Sequence, residues 1–216
     1  MHPLVRSQVA QAARRLHAAG WVANHDGNVS ARIGRDRFVI TPTAVSKAEV
    51  DEGMLVVIDS AGKVIEGARK PPGETELHLA AYRARPDVDA VLHAHPPFAT
   101  AFGAARVELA PVCLPEAVVS LGQIPLAPFA MPRTPQAVEA VSRCAAEADA
   151  MLLPGNGALT LGPDVALCLL RMELVEHLAK ILHHARALGG AQPLPAEEMA
   201  RLLEQNKKTF PRGKRS

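Results

Sequence analysis

The most informative segment of the chain is Val88-Asp89-Ala90-Val91-Leu92-His93-Ala94-His95-Pro96-Pro97. It is strongly apolar up to the first histidine, and two prolines follow the second. Residues two apart on a β-strand point to the same face, so His93 and His95 are expected to present two imidazoles side by side. Neutral imidazoles that converge suit a divalent metal, zinc above all. Spacing alone leaves a structural role for the pair open as well.

The segment Pro71-Pro72-Gly73-Glu74-Thr75-Glu76-Leu77-His78 strengthens the metal hypothesis. Glu74 is expected where a loop enters a helix, with Glu76 and His78 on the helix itself. A loop carboxylate beside a metal can be a ligand in the empty site and a general base once substrate displaces it. The alternative for Glu74 is a carboxylate at a helix start, favoured there by the helix dipole.

Composition narrows the class of protein. The 216 residues fit one domain, residues 1–216, and the 3% aromatic content predicts an aliphatic core rich in alanine. A net charge of +2 gives no signal for nucleic-acid or membrane partners, and the apolar runs are too short to span a bilayer. Three scattered cysteines without a CxxC spacing are typical of buried thiols in a reducing compartment. The start lacks the pattern of a signal peptide, so we expect a cytoplasmic protein.

Strands and helices alternate along the chain, which predicts an α/β sandwich. The predicted helices are 4–19, 75–84, one starting at Pro96, 134–146, 164–188 and 196–205. The predicted strands include 37–41, 54–59, 88–95, 150–153 and 158–161. Residues 107–132, with five prolines, are expected to form edge strands and surface loops. Residues 207–216 are expected to be a disordered basic tail.

Several motifs together resemble the class II aldolase/adducin-head family, which includes L-fuculose-1-phosphate aldolase. In chain order they are Asp26-Gly27-Asn28-Val29-Ser30-Ala31-Arg32, Ile40-Thr41-Pro42-Thr43, Glu74 with His78, His93-Ala94-His95, and Gly157 with Glu176. The resemblance covers about residues 4–205. It implies a three-layer αβα sandwich with a mixed, largely antiparallel central sheet, assembled as a cyclic homotetramer with sites between subunits.

The resemblance also implies a metal-dependent enzyme that uses Zn²⁺ or another divalent metal such as Mn²⁺ or Co²⁺. In such enzymes the metal binds oxygens of a keto-sugar and stabilises an enediolate, and a mobile glutamate moves the proton. By position, His93 and His95 resemble the zinc ligands and Glu74 the acid/base. Asn28 and Thr43 resemble contacts to the substrate phosphate.

Three departures from the family pattern matter. The turn that usually supplies a third histidine ligand reads Gly155-Asn156-Gly157, so Asn156 stands in the ligand's place, and an amide is a poorer zinc ligand. Two serines that bind phosphate are replaced by Pro72-Gly73, where Gly73 still offers an N–H. Arg69 and Lys70 are candidates to compensate, or the substrate carries a carboxylate instead. The C-terminal tyrosine of some aldolases is also missing, and the only tyrosine is Tyr82.

The resulting prediction is a lyase that cleaves a small keto-sugar or keto-sugar phosphate. The same scaffold supports epimerisation, decarboxylation and dehydration, and sequence alone leaves these open. A non-catalytic interaction module like the adducin head is the alternative from another class. Because Glu74, His93 and His95 are all retained, we favour an enzyme. A structural zinc site is disfavoured, since no cysteine lies in a motif near the histidines.

Overall fold

The computed structural model describes residues 3–110 and 112–212, which fold around one seven-stranded sheet. The α-helices are α1 (Pro3–Ala18), α2 (Thr75–Ala84), α3 (Pro97–Ala104), α4 (Pro115–Leu121), α5 (Pro135–Glu147), α6 (Val165–Ala187) and α7 (Ala196–Thr209). The strands are β1 (Asn28–Gly34), β2 (Arg37–Ile40), β3 (Val56–Ile58), β4 (Val64–Glu66), β5 (Ala90–Ala94), β6 (Ala150–Leu152) and β7 (Ala158–Gly162).

The strand order is β4-β3-β2-β1-β5-β7-β6, and each neighbouring pair of these strands is antiparallel. An isolated parallel bridge joins Leu126 to Leu152 at the β6 edge. The predicted sheet, largely antiparallel with a parallel element, is therefore confirmed. The histidine strand β5 lies inside the sheet between β1 and β7, so it is buried on both faces and reads as a continuous apolar run.

Helices cover both faces of the sheet, as predicted for a three-layer αβα sandwich. One apolar core lies under α1, α3, α4 and α6, and the other lies under α2 and α5. Both cores consist mainly of alanine, valine and leucine, which agrees with the low aromatic content. Alternate residues of β5 pack into the two cores: Leu92 lies in the first core and Val91 in the second. Cys144 and Cys168 are buried as predicted, whereas Cys113 is half-buried.

Helix α2 has the predicted bounds, and its position sets the entrance to the site. It buries Leu77, Ala80 and Ala81 at helical spacing against the second core. It ends before Arg85 because the residue preceding Pro86 is driven away from helical backbone angles. The N-terminus of α2 therefore opens at the end of the sheet where β5 finishes.

Three regions differ from the sequence prediction. Strand β1 (Asn28–Gly34) was not among the predicted strands. Within 107–132 the structure has helix α4 where strands and loops were expected, because Pro115 fits a first helical turn and Ala117, Val118 and Leu121 bury one helical face. Helix α7 continues to Thr209, so residues 207–209 are helical rather than part of a disordered tail. Lys207 and Lys208 each lie 3.9 Å from Glu204, and these pairs support the last turn. Residues 213–216 of the predicted tail lie outside the described residues.

None of the helices in the described part is both long and apolar enough to cross a membrane.

Candidate active site

The register of the sheet brings the first site residues together. Asn28 on β1 is the direct partner of His93 on β5, so their side chains share the face covered by α2. His95 follows directly after β5, and its backbone N–H donates to the Trp21 carbonyl at 2.8 Å. The imidazole rings of His93 and His95 are 5.0 Å apart between centroids, at an interplanar angle of 70°. The structure thus places the two rings side by side.

A glycine turn carries Asn156 to the same place. Gly157 has a φ of +71°, and a Cβ there would collide with the Ala94 carbonyl and the ring of His95. Only glycine lets this turn approach the end of β5 so closely. As a result, the backbone carbonyl of Asn156 accepts a hydrogen bond from Nε2 of His93 at 2.8 Å.

Glu74 lies at the centre of the cluster. It is the residue before α2, and its side chain does not cap the helix. The side chain instead accepts hydrogen bonds from Nδ2 of Asn156 on Oε1 (2.8 Å) and from Nδ2 of Asn28 on Oε2 (3.0 Å), and Oε2 lies 3.0 Å from Nδ1 of His93. Glu74 thus stands at the start of α2, as both hypotheses required, but its side chain contacts the site residues instead of the N–H groups of the helix.

The electrostatics of the cluster favour a charged pair. Burial by itself would raise the pKa of Glu74, but His93 and the two amide hydrogen bonds outweigh burial and hold that pKa below its ordinary value. Burial opposes the charge on His93, yet the carboxylate of Glu74 outweighs it and raises the pKa of His93. The pKa of His95 is lowered by burial and by the neighbouring His93, although Asp26 opposes this.

A buried chain of hydrogen bonds fixes the orientation of Asn28. Nε2 of His78 donates to Oδ1 of Asn28, and Nδ1 of His78 accepts from the hydroxyl of Ser30 at 2.7 Å. Oγ of Ser30 in turn accepts from the hydroxyl of Tyr82 at 2.8 Å. Burial lowers the pKa of His78 to about 3, so the ring is neutral and can donate on one side and accept on the other. Because Oδ1 of Asn28 is engaged in this way, its Nδ2 must face Glu74.

The residues of this site fit a divalent metal in part. Nε2 of His95 is buried and has no hydrogen-bond partner among residues 3–110 and 112–212. Buried polar atoms usually have a partner, so this nitrogen is available to coordinate a metal ion. Two imidazoles with a carboxylate beside them are suitable donors for zinc and related ions. Within the same residues, however, no three His, Cys, Asp or Glu side chains form a ready-made metal group. The side chain of Asn156 lies in the same cluster, where its Nδ2 donates to Glu74.

Two functional candidates, Asp26 and Lys47, were given no role in the sequence analysis. Oδ2 of Asp26 lies 3.0 Å from Nδ1 of His95, and its only signal was its place in the Asp26–Asn28 turn. Lys47 is 1% exposed, and its ammonium group donates to the carbonyls of His25 (3.0 Å) and Val45 (3.3 Å), which ties down the loop that carries Asp26. Burial lowers the pKa of Lys47, although Asp26 and Glu74 oppose this. A buried lysine in a loop has no recognisable sequence signal.

Glu176 holds the start of α3, the helix that follows the histidine segment. Its carboxylate accepts the backbone N–H groups of Phe98 (3.0 Å) and Ala99 (2.9 Å) and so caps the start of α3, directly after His95 and the prolines. The sequence analysis counted Glu176 among the family motifs without assigning it a role.

The remaining predicted residues lie around this cluster. The backbone N–H of Thr43 donates to the Lys70 carbonyl at 3.0 Å, so Thr43 lies against the loop that leads to Gly73. Glu76 points into solvent, where it pairs with Arg83 at 3.4 Å. Four other histidines, at positions 25, 177, 183 and 184, are not buried. The residue considered as a rival to Asn156, His177, lines a separate cavity beside Trp21 and Phe98.

Comparison with known proteins identifies the family of the chain. The model of the class II aldolase and adducin N-terminal domain family matches residues 7–183. An L-fuculose phosphate aldolase of Methanococcus vannielii is 34% identical over 169 residues, which are 78% of this chain and 90% of that protein. A 3-oxo-tetronate 4-phosphate decarboxylase of Haemophilus influenzae is 28% identical over 178 residues, covering 80% of this chain and 84% of the other.

A solved structure shows the same fold. The crystal structure of L-fuculose-1-phosphate aldolase from Thermus thermophilus superposes with a TM-score of 0.75 at 29% identity, covering 88% of this chain and 98% of that one. The relatives catalyse different reactions, so they define the family rather than the exact reaction. The chain belongs to the class II aldolase and adducin N-terminal domain family, and it is a class II aldolase-like enzyme.

Proposed function

We propose that the protein is a divalent-metal-dependent lyase that splits a carbon–carbon bond of a small keto-sugar phosphate by a retro-aldol reaction. The observation that carries the proposal is Glu74, ionised and held by two amides beside a pair of imidazoles. An acid/base carboxylate next to metal-binding histidines is what proton transfer at a carbonyl-bearing sugar requires. The aldolase among the relatives supports the same reaction class.

His93 and His95 would hold the metal, with Asn156 in the third position. Because both ring nitrogens of His93 have partners in the metal-free protein, metal binding would replace the hydrogen bond of its Nε2 to the Asn156 carbonyl and release a proton from the ring. Since Nδ2 of Asn156 is the atom that meets Glu74, its amide oxygen is the atom left for a metal. When bound, a zinc ion or a related ion such as Mn²⁺ or Co²⁺ supplies a Lewis acid for the oxygen atoms of the substrate. Asp26, on the far nitrogen of His95, orients that ring.

Glu74 moves the proton in this proposal. It takes the proton of the substrate hydroxyl, the carbon–carbon bond breaks, the aldehyde leaves, and the electron pair stays on the keto fragment. A proton then returns to that carbon. Tyr82 cannot reach the substrate directly, because its hydroxyl is buried against Ser30. The aromatic residue of the C-terminal segment is Phe210, which has no acidic hydroxyl and packs against the guanidinium of Arg171. Within the described residues, that segment therefore places no proton donor beside Glu74.

Asn28, Thr43 and Gly73 form the remaining part of the proposed substrate site. The role of Asn28 is to position Glu74, because its Nδ2 donates to Glu74 and its Oδ1 already accepts from His78. Thr43 and Gly73 stay candidates for contact with the anionic end of the substrate. That residues 1–216 form one domain, that the enzyme is a homotetramer, and that it is cytoplasmic stay predictions. Light scattering of the purified protein tests the tetramer.

The reaction is tested by metal reconstitution. Protein stripped with a chelator is loaded with Zn²⁺, Mn²⁺ or Co²⁺ and assayed for cleavage of L-fuculose 1-phosphate and for CO₂ release from 3-oxo-tetronate 4-phosphate, the compounds named for the two relatives. We expect metal-dependent aldehyde release, and loss of both bound metal and cleavage in His93→Ala and His95→Ala. Protein that retains no metal and gains no activity with any of the three ions would refute the proposal. Release of CO₂ without aldehyde would replace the aldolase assignment with a decarboxylase.

A further inference from the structure

Arg133 occupies an unusual position beside the candidate site. It lies in the loop before α5 and has a φ of +66°, a left-handed backbone conformation that residues other than glycine rarely adopt. The loop is anchored nonetheless, because the next residue, Thr134, donates its N–H to Met131 and accepts the N–H of Ala137 on its hydroxyl. Strained backbone of this kind is often retained where it aims a side chain at a functional site.

The guanidinium of Arg133 lies against the backbone of Gly73. A Cβ built on Gly73 would come within 2.6 Å of Cζ and 2.7 Å of Nη2 of Arg133, closer than real atoms approach. Any side chain at position 73 would therefore have to displace the guanidinium. Gly73 and Arg133 are complementary: the glycine leaves the space that the arginine fills, immediately next to Glu74.

The donor groups of Arg133 are not consumed by the protein. Among residues 3–110 and 112–212, no hydrogen bond or ion pair engages its guanidinium. The nearest residue in sequence to Gly73 that could neutralise it is Glu74, but both oxygens of Glu74 already accept hydrogen bonds from Asn156 and Asn28. A planar fork of N–H donors on this exposed side chain thus remains free of protein partners at Gly73, the residue that precedes Glu74 in the chain.

We propose that Arg133 is the specificity-determining residue that binds the anionic group of the substrate, a phosphate or a carboxylate. Because position 73 has no hydroxyl to offer, the guanidinium takes over the recognition there, and it can donate two parallel hydrogen bonds to either oxyanion. Thr43, the other candidate for contact with the anion, donates its backbone N–H to the carbonyl of Lys70, three residues before Gly73. The proposal relies on the proposed function for the position of the substrate next to Glu74.

The test compares three ligands with the same three-carbon skeleton: dihydroxyacetone phosphate, hydroxypyruvate and uncharged dihydroxyacetone. Calorimetry on the metal-loaded full chain is expected to show tighter binding of one anion than of dihydroxyacetone. Arg133→Gln should weaken that anion about 10- to 100-fold and leave dihydroxyacetone unchanged, as expected for loss of a charged hydrogen-bonded pair. Arg133→Lys should retain part of the affinity. Gly73→Ala should weaken the same anion by displacing the guanidinium.

Arg143→Gln is the matched control, since Arg143 is an exposed arginine on α5 and its loss changes the net charge equally. The proposal is overturned if Arg133→Gln binds the anion like the wild type, if Arg143→Gln weakens it as much, or if the wild type prefers neither anion. Tighter binding of dihydroxyacetone phosphate identifies phosphate as the recognised group, and tighter binding of hydroxypyruvate identifies carboxylate. If an anion binds through Arg133 but no metal restores cleavage, the proposed lyase activity fails while this inference stands.

Discussion

Replacing Glu74 with glutamine tests the centre of the proposed mechanism. Glutamine has nearly the same shape but cannot accept a proton, so it removes the acid/base without emptying the site. Loss of a general acid/base lowers kcat by about 10²- to 10⁴-fold, which corresponds to about 3–5 kcal/mol in the barrier. We expect a loss of this size in kcat with little change in KM, because the group acts on the proton in transfer rather than on substrate binding.

The structure also predicts a cost in stability. The carboxylate of Glu74 receives N–H groups from Asn156 and Asn28 on different oxygens, whereas glutamine offers only one oxygen and one NH₂ group. Asn28 cannot turn without losing its hydrogen bond from His78, so Asn156 must rotate away. One half-buried hydrogen bond is then left unmade, which costs about 1 kcal/mol of unfolding free energy.

The assay is metal-loaded cleavage of the sugar phosphate, with urea denaturation on the same preparations. Glu76→Gln is the control, since Glu76 lies two residues further on and its exposed pairing with Arg83 contributes at most about 1 kcal/mol. It should leave kcat and stability unchanged. The reasoning is refuted if Glu74→Gln retains kcat within about threefold of the wild type, well short of the loss expected for a general base. An equal loss in Glu76→Gln would point to a disturbed helix rather than to lost proton transfer.

Three further predictions follow from individual contacts. Asp26→Asn should weaken metal binding about 10- to 100-fold, as measured by chelator competition, because Asp26 orients His95; unchanged affinity contradicts this role. Asp149→Asn should lower the unfolding free energy by about 3–5 kcal/mol in urea, since Asp149 is 1% exposed and pairs with Arg85 (2.9 Å) and Arg171 (3.0 Å); a loss under about 1 kcal/mol contradicts the pairing. His78 has a pKa lowered from 6.5 to about 3, so the unfolded chain binds its proton first and stability should fall as pH drops from 6.5 towards 3. His78→Gln should therefore show a smaller loss of stability between pH 7 and pH 4 in urea denaturation, and an unchanged loss would disprove the assignment.

Local patterns predicted the parts of the site that lie close together in the chain. The spacing of His93 and His95 follows from the two-residue period of a strand, and the rings are indeed neighbours. The bounds of α2 followed from its apolar spacing and from Pro86, which placed Glu74 at its start. The family motifs added the fold and the enzyme class. Prolines near α4 misled the prediction, because proline is equally common in loops and in a first helical turn.

Three contacts between residues far apart in the chain could not be predicted from the sequence alone. The position of the Arg133 guanidinium at Gly73, the burial of Lys47 and the contact of Asp26 with His95 each depend on how loops far apart in the chain come together. No spacing rule connects such residues, because their contacts are made by the packing of layers and by the cross-strand register.

The chain itself determined the side-by-side imidazoles, the carboxylate at a helix start and the membership of an aldolase family, since these depend on neighbours a few residues away. The tertiary structure decided which atoms of Glu74 are engaged, that the side-chain amide of Asn156 donates to Glu74, and that an arginine from another loop fills the space above Gly73. The physical reason is that hydrogen-bond partners and free space are properties of packed surfaces, which form only when the sheet and both helical layers are assembled.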